Sequence, residues 1–302
     1  MMRYRIGLSL ITVLVALFTL TECNIHKNRQ EKLLLSGSMN NAIMIIDRNT
    51  GEIEWQHTVK SYEDGWECNS VEEADGNILF SYKKGAMLIN TDHETLWDYP
   101  VPGGCEIHHA SVLPDGGFLI AINGVPTRIV ELDRNGKTRK EIRVKEDLGN
   151  DNPHMQCRQI CKARNGNYLV PVLGRPVLYE IDNEGNTVRS YPLRGGAFSV
   201  METKEGHLLL PLGDAHGVQM IDHGTGEEIF FVGQDDLPGC KILFAAEIEE
   251  LDNGHFMLTN WAGHQSGGNS PQLIEFDASG NVYWTLNDEK YGTLSSHCLW
   301  VH

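Results

Sequence analysis

Positive charge is scarce in this chain. Its 25 lysines and arginines face 41 aspartates and glutamates, a net charge of −16 at pH 7 over 302 residues. So acidic a protein repels a phosphate backbone, which excludes general nucleic-acid binding. Beyond residue 20 no apolar run approaches the ~20 residues needed to cross a bilayer, and no stretch carries a helical hydrophobic period. Walker, dinucleotide-fingerprint and HExxH patterns are missing. The seven cysteines include no paired CxxC spacing of a zinc site. If Cys157 and Cys161 share a strand they stand about 13 Å apart, too far to bond each other.

What is present begins at the N-terminus. Arg3 and Arg5 precede IGLSLITVLVALFTL (6–20), an apolar run of signal-peptide length. The run ends in LTEC, which resembles a bacterial lipobox with Cys23 as the lipidated residue, although Glu22 stands where a small residue is usual. The expectation is a signal peptide over 1–22, a lipid-anchored linker over 23–31 and a single domain over 32–302. The mature chain is then a monomer exported to the cell envelope and held by lipid at the outer membrane, or free in the periplasm. Six further cysteines, Cys68, Cys105, Cys157, Cys161, Cys240 and Cys298, permit disulfides in an oxidising compartment without requiring them.

The rest of the chain is a repeat. A first unit recurs as VEEADGNILFSY, SVLPDGGFLIAI, ICKARNGNYLVPV, VMETKEGHLLLPL and IEELDNGHFMLTN. A second unit follows each after a gap, as in RIVELDRNGKTRKEI and QLIEFDASGNVYWTL, with a sixth, earliest copy AIMIIDRNTGEIEWQ. Alternating apolar residues around Asp/Asn-Gly turns mark antiparallel hairpins. The anchoring Asp47, Asn90, Asp133, Asp182, Asp222 and Asp277 recur at the spacing of propeller blades. The first blade begins with its second strand, KLLLSGS, and the C-terminal SSHCLWVH supplies the missing first strand. The expected fold is all-β: a six-bladed β-propeller of four-stranded blades, closed by the C-terminal strand, with no exposed sheet edge at the seam.

The second unit resembles repeats of the quinoprotein-like (PQQ-like) propeller superfamily. The first, HHASVLPDGGFLI, resembles repeats of bacterial aryl-sulfotransferase propellers, in which a histidine precedes a similar turn. These resemblances imply the fold well and the activity poorly. A quinone-dependent dehydrogenase does not fit, because the chain has no adjacent cysteine pair, six blades rather than eight, and no evident calcium-binding carboxylate set. No cofactor or metal is expected.

The repeat sorts residues by rim. The Gly turns and Asp-x-x-Gly turns share one rim, with His93, His207, His223 and His255 at solvated turn positions. The approaches to strand one and the strand two–three loops share the other rim, where propellers bind ligands. That second rim collects Trp66, Glu67, His108, His109, His154, Arg158, Arg194, Lys241 and His297 from the strand approaches. Lys83, Lys84, Arg175, Asp214, His216, Trp261, His264 and Gln265 come from the loops. The candidate ligand-binding residues are His108, His109, His154, Arg158, Arg175, His216, Trp261, His264, His297, Lys83, Lys84 and Lys241. Arg158 and Arg175 are the better anion clamps, since guanidinium binds carboxylate or sulfate in bidentate fashion, and Trp261 offers a stacking surface. His108 and His109 should point to opposite faces of their strand.

Cationic and imidazole groups gathered at one mouth of an acidic protein favour a small anionic ligand: a ferric siderophore, an acidic oligosaccharide or a sulfated aromatic. A lipid-anchored capture protein of this kind works beside an outer-membrane transporter. The alternatives are an enzyme, with His108 or His109 as an aryl-sulfotransferase-like nucleophile or a histidine base of a glycan lyase or hydrolase, and a scaffold for protein partners. The scaffold requires a flat, apolar rim.

Overall fold

The computed structural model describes residues 31–38, 42–59, 67–149, 151–263 and 270–302. Cys23 and the signal segment, Trp66, His264 and Gln265 lie outside the described residues. The middle two strands of each blade are predominantly apolar. Such strands are buried on both faces, as a radial array of sheets demands. β1 (Lys32–Ser38), β2 (Ala42–Asp47) and β3 (Ile53–Thr58) begin the ring. The second blade holds β4 (Val71–Ala74), β5 (Asn77–Ser81), β6 (Gly85–Ile89) and β7 (Thr95–Pro100), and the third β8 (Glu106–Val112), β9 (Phe118–Asn123), β10 (Arg128–Leu132) and β11 (Thr138–Arg143). β12 (Cys161–Lys162), β13 (Tyr168–Pro171), β14 (Val177–Ile181) and β15 (Thr187–Pro192) make the fourth. β16 (Met201–Glu202), β17 (His207–Pro211), β18 (Val218–Asp222) and β19 (Glu228–Val232) make the fifth. β20 (Ala245–Glu250), β21 (Phe256–Asn260), β22 (Leu273–Phe276) and β23 (Val282–Leu286) form the sixth, and β24 (Thr293–Trp300) returns to the first. The result is six antiparallel four-stranded sheets in a six-bladed β-propeller, the first ordered β24-β1-β2-β3.

Burial follows position within the blade. Every residue of β2 and of β9 is buried, whereas the outermost β3 alternates between half-buried and exposed. The period-two pattern expected throughout therefore belongs to the outer strands alone. On β1 and β2 the side chains divide between the two neighbours: Leu34, Ile43 and Ile45 pack toward blade two, and Leu33, Leu35, Met44 and Ile46 toward blade six. One apolar cluster fills each of the six seams between blades. Burial on both faces supplies the hydrophobic stabilisation that no central core could, because the ring has an axis rather than a centre.

The six turn anchors act as the spacing predicts. Asp47, Asp133, Asp182 and Asp277 each accept two backbone N–H groups through one carboxylate oxygen, Asp222 accepts from Thr225, and Asn90 from Glu94. An Asx side chain thus closes each turn between strands three and four, and every blade has a register shift beside it. Ring closure is by antiparallel pairing of β1 with β24, from Lys32 opposite Trp300 to Ser38 opposite Thr293. The six described cysteines are free thiols.

Candidate functional site

Glu67 and Asn69 lead into β4, Glu106 and His108 stand in β8, and His154 sits in a short 3-10 turn (Pro153–Met155) ahead of β12, with Arg158 beyond it. These approaches to strand one converge near the axis. His108 reaches them through a bulge: Ile107 pairs with Ile122 and His109 with Ala121, so His108 is the extra residue. A bulge re-aims a side chain, and here it turns His108 toward Asn69 and Glu106.

The hydrogen bonds fix the imidazole tautomers. Asn69 Nδ2 donates to His108 Nδ1 at 2.8 Å and lies 3.4 Å from Glu67 Oε2, an amide orientation both acceptors favour. His108 Nε2–H therefore donates to Glu106 Oε2, at 2.7 Å. Arg158 Nη2 donates to His154 Nε2 at 2.8 Å, which leaves His154 Nδ1–H to donate to the same Glu106 oxygen, also at 2.8 Å. Both rings are neutral in this arrangement. Burial, with Arg158 adding to it, pushes His108 down to about 4. Burial opposes ionisation of Glu106, but the hydrogen bonds from His108 and His154 prevail and hold it well below the usual carboxylate range. Burial likewise opposes ionisation of Glu67, where His108, Arg158, His154 and Lys83 together win and lower it.

Beside this polar wall lies a cavity of about 230 Å³. Its lining is polar at Glu67, Asn69, His154, Arg158, Asp214 and Ser295, and apolar at Met155, Leu173, Phe198, Phe244 and Trp261. The aromatic wall is interlocked edge to face, Phe198 on Phe244 at 5.7 Å and Phe244 on Trp261 at 5.1 Å. Arg158 is only 5% exposed. Its guanidinium donates to the backbone oxygen and ring of His154, and among the described residues no carboxylate oxygen lies within 4.0 Å of it. A cation buried without a direct counter-ion is costly, and an anion arriving from solution would relieve that cost.

A second chamber, about 590 Å³, opens toward the opposite rim, where Leu113 and Pro114 border it. Glu72, Glu247, Glu249, His109, His297 and Cys298 line it. Burial pushes Glu72 and Glu247 up to about 8 and Glu249 to about 7, while the same burial pushes His109 and His297 down to about 3. At neutral pH its imidazoles are uncharged.

The structure thus brings together some of the residues grouped by rim and separates others. His154, Arg158 and Trp261 line the small cavity, and His108 is buried behind its polar wall, bonded to Asn69 and Glu106. Lys83 stands behind it, 3.9 Å from Glu67 and 3.7 Å from Glu106. His109 and His297 belong to the other chamber: His109 bonds Ser111 and His297 bonds Thr259. Arg175 donates to the backbone of Asp147, and His216 bonds the carbonyl of Leu243. Lys84 is half-buried beside the cavity strands, and Lys241 is exposed. His264 lies outside the described residues. Sequence reasoning passed over Glu106, Asn69, Phe198 and Phe244. Glu106 had a signal, since it stands two residues before His108 on the same strand. Phe198 and Phe244 had one too, as aromatics just ahead of strand one in blades five and six.

Fold and site together define a six-bladed propeller with a polar–aromatic pocket at one end of its axis. A family profile described as Mal s 1 allergenic protein-like (Mala_s_1-like) matches residues 21–281, and the chain belongs to that family. A crystal structure of a protein of unknown function from Bacteroides caccae is 37% identical over 89% of this chain and 98% of that one, with a TM-score of 0.84. A streptogramin B lyase structure (14% identity, 89% of this chain, 84% of that one, TM-score 0.62) shares the fold. So does virginiamycin B lyase from Staphylococcus aureus (14%, 76% of this chain, 73% of that one, TM-score 0.56). Among curated proteins nothing matches.

Proposed function

We propose that this protein binds a compact anion carrying a flat apolar group, with Arg158 receiving the charge and Trp261, Phe244 and Phe198 the apolar part. The observation that carries this reading is the guanidinium of Arg158, buried, lining the cavity, and without a carboxylate oxygen within 4.0 Å among the described residues. At about 230 Å³ the cavity falls below the ~300–1,000 Å³ typical of pockets for drug-sized ligands. Sulfated or carboxylated aromatics therefore suit it better than ferric siderophores or acidic oligosaccharides. In the cell the protein is exported, anchored by lipid at Cys23, and passes its ligand to an outer-membrane transporter. A scaffold role is disfavoured because the rim is indented and polar rather than flat and apolar.

One observation favours a second reading, catalysis by His154. Glu106 orients this ring, which lines the cavity, and a substrate that draws Arg158 away would free the His154 Nε2, the arrangement of a general base held by a carboxylate. His108 is a poorer nucleophile, since it is 1% exposed and does not line the cavity. The test is calorimetry and thermal shift with 4-nitrophenyl sulfate and 4-hydroxybenzoate against uncharged benzyl alcohol, with release of 4-nitrophenol followed in parallel. Saturable binding of the anions alone, without release, supports capture. Release that disappears in His154→Ala establishes the enzyme, and equal indifference to all three compounds sinks both readings.

A further inference from the structure

We propose that Glu67, His108 and His154 form a site for a divalent first-row transition-metal ion, with Glu106 positioning both imidazoles. This goes deeper into the pocket of the preceding section and rests on that pocket being the working site. One ligand atom from each of the three residues lies within 4.8 Å of the others. His108 Nδ1 is 3.6 Å from Glu67 Oε2 and His154 Nε2 is 4.0 Å from Glu67 Oε1. Ligands held ~2.0–2.2 Å from one ion stand roughly 3–4 Å apart, so little movement is needed to close on it.

The orientation of the rings is the stronger argument. A metal-bound histidine almost always donates its other N–H to a carboxylate or carbonyl, which fixes the tautomer and aims the lone pair. Glu106 does this twice, taking His108 Nε2–H and His154 Nδ1–H on one oxygen. The remaining lone pairs, on His108 Nδ1 and His154 Nε2, are those nearest Glu67. They now accept from Asn69 and Arg158, the two donors that an ion would displace. Two imidazoles and one carboxylate favour Zn²⁺, Co²⁺, Fe²⁺ or Mn²⁺ over Ca²⁺ or Mg²⁺. Three protein ligands leave coordination positions open, and Glu67 and His154 both line the cavity.

The charge balance gives the ion a role. Glu67, Glu106 and the cavity-lining Asp214 stand against Lys83 and Arg158, so these charged groups leave the site with one net negative charge. A divalent ion reverses that sign, making the site positive, and frees Arg158 Nη2 from His154. Metal and anion should therefore bind cooperatively.

The experiment uses the mature chain carrying His93→Ala, because His57 and His93 form a separate surface pair with Nδ1 atoms 3.1 Å apart. After chelator treatment, Co²⁺ binding is followed by visible absorption and Zn²⁺ binding by calorimetry, without any anion. The expected result is one ion per chain, bound at least 100-fold more weakly in His154→Ala and Glu67→Ala, with folding checked by circular dichroism. Glu106→Gln should keep the stoichiometry and weaken binding by about 10–100-fold. Absence of binding in the parent, or binding that His154→Ala and Glu67→Ala leave intact, overturns the inference. Affinity for 4-hydroxybenzoate is then measured with and without Zn²⁺, and the ion should raise it about tenfold. If the anion binds and no metal does, the metal site fails and the capture reading stands. If metal binds at these residues and no anion does, the reverse holds.

Discussion

His108 and His154, from neighbouring blades, donate to the same oxygen of Glu106, at 2.7 and 2.8 Å, with their rings meeting edge to face at 5.4 Å. One carboxylate thereby sets the tautomer of two rings on separate sheets, and the seam between blades three and four becomes a rigid wall of the cavity. The imidazoles are neutral, so the charge at this rim comes from Arg158 and Lys83 against Glu67, Glu106 and Asp214. A cluster of histidines in the sequence suggests a positive field. In three dimensions the carboxylates outnumber the cations, yet Arg158 has no carboxylate oxygen within 4.0 Å among the described residues.

Arg158→Met should therefore separate binding from folding. The variant keeps most of the side-chain volume and removes a buried charge, at the cost of two hydrogen bonds to His154, so destabilisation should stay below about 2 kcal/mol. The affinity for 4-hydroxybenzoate should fall about 10–100-fold, the worth of a charge-assisted hydrogen bond. Calorimetry alongside thermal melts decides it. A variant that melts far lower yet binds normally would show Arg158 to be structural.

Trp261 should contribute through its face and not through charge. Its ring closes the aromatic wall against Phe244, so Trp261→Ala should weaken an aromatic anion about tenfold while leaving the affinity for inorganic sulfate unchanged. Parallel titrations with both anions test this. Equal losses for the two would mean that the tryptophan shapes the cavity and does not contact the ligand.

How much of this was legible beforehand depended on periodicity. The Asp/Asn-Gly turns repeat, and repetition reveals blade count, closure and rim without coordinates. His109 shows where that logic stops. Strand alternation separates it from His108, but the bulge after Ile107 is what turns His108 to the Glu106 and Asn69 side chains behind the pocket, while His109 lines the opposite chamber. A bulge is a local backbone decision with no strong residue signature. His297 was misgrouped for a related reason: β24 is long enough to carry residues from one rim to the other, so strand membership alone does not give depth along the axis. Phe198 and Phe244 both precede strand one of their blades and were passed over because apolar residues in a propeller are ordinarily seam filling.

Ring closure is concentrated at Gly37. A Cβ there would stand 1.9 Å from the carbonyl oxygen of Thr293, at the point where the β1–β24 register shifts. Backbone cannot yield as a flexible side chain does, so Gly37→Ala should cost roughly 1–3 kcal/mol and raise hydrogen exchange first along β24. Chemical denaturation with exchange mass spectrometry reads both. An unchanged midpoint would mean that the seam is looser than the pairing implies.

The pH dependence of stability follows from two sets of buried groups with opposite signs. Glu72 and Glu247 are raised to about 8 and Glu249 to about 7 from an ordinary 4.5, chiefly by burial, so each holds its proton more tightly folded than unfolded. Each therefore costs stability as pH rises from 4.5 toward its folded value. His108 is lowered to about 4, and His109 and His297 to about 3, from an ordinary 6.5, again chiefly by burial. Each adds stability as pH rises toward 6.5. Three groups of each sign oppose one another between pH 4.5 and 6.5, where the melting temperature should be nearly flat. Above 6.5 the imidazoles are neutral in both states and the carboxyls act alone, each by at most ~1.4 kcal/mol per pH unit. The melting temperature should fall from pH 6.5 to 8. The double variant Glu72→Gln, Glu247→Gln should flatten that alkaline limb and leave the plateau sloping upward, because its imidazoles are then largely unopposed. Melts at half-unit intervals from pH 4.5 to 8.5 test both curves. A parent protein that keeps its melting temperature through pH 8 would mean that these carboxyls ionise in contact with water and that the chamber is wet.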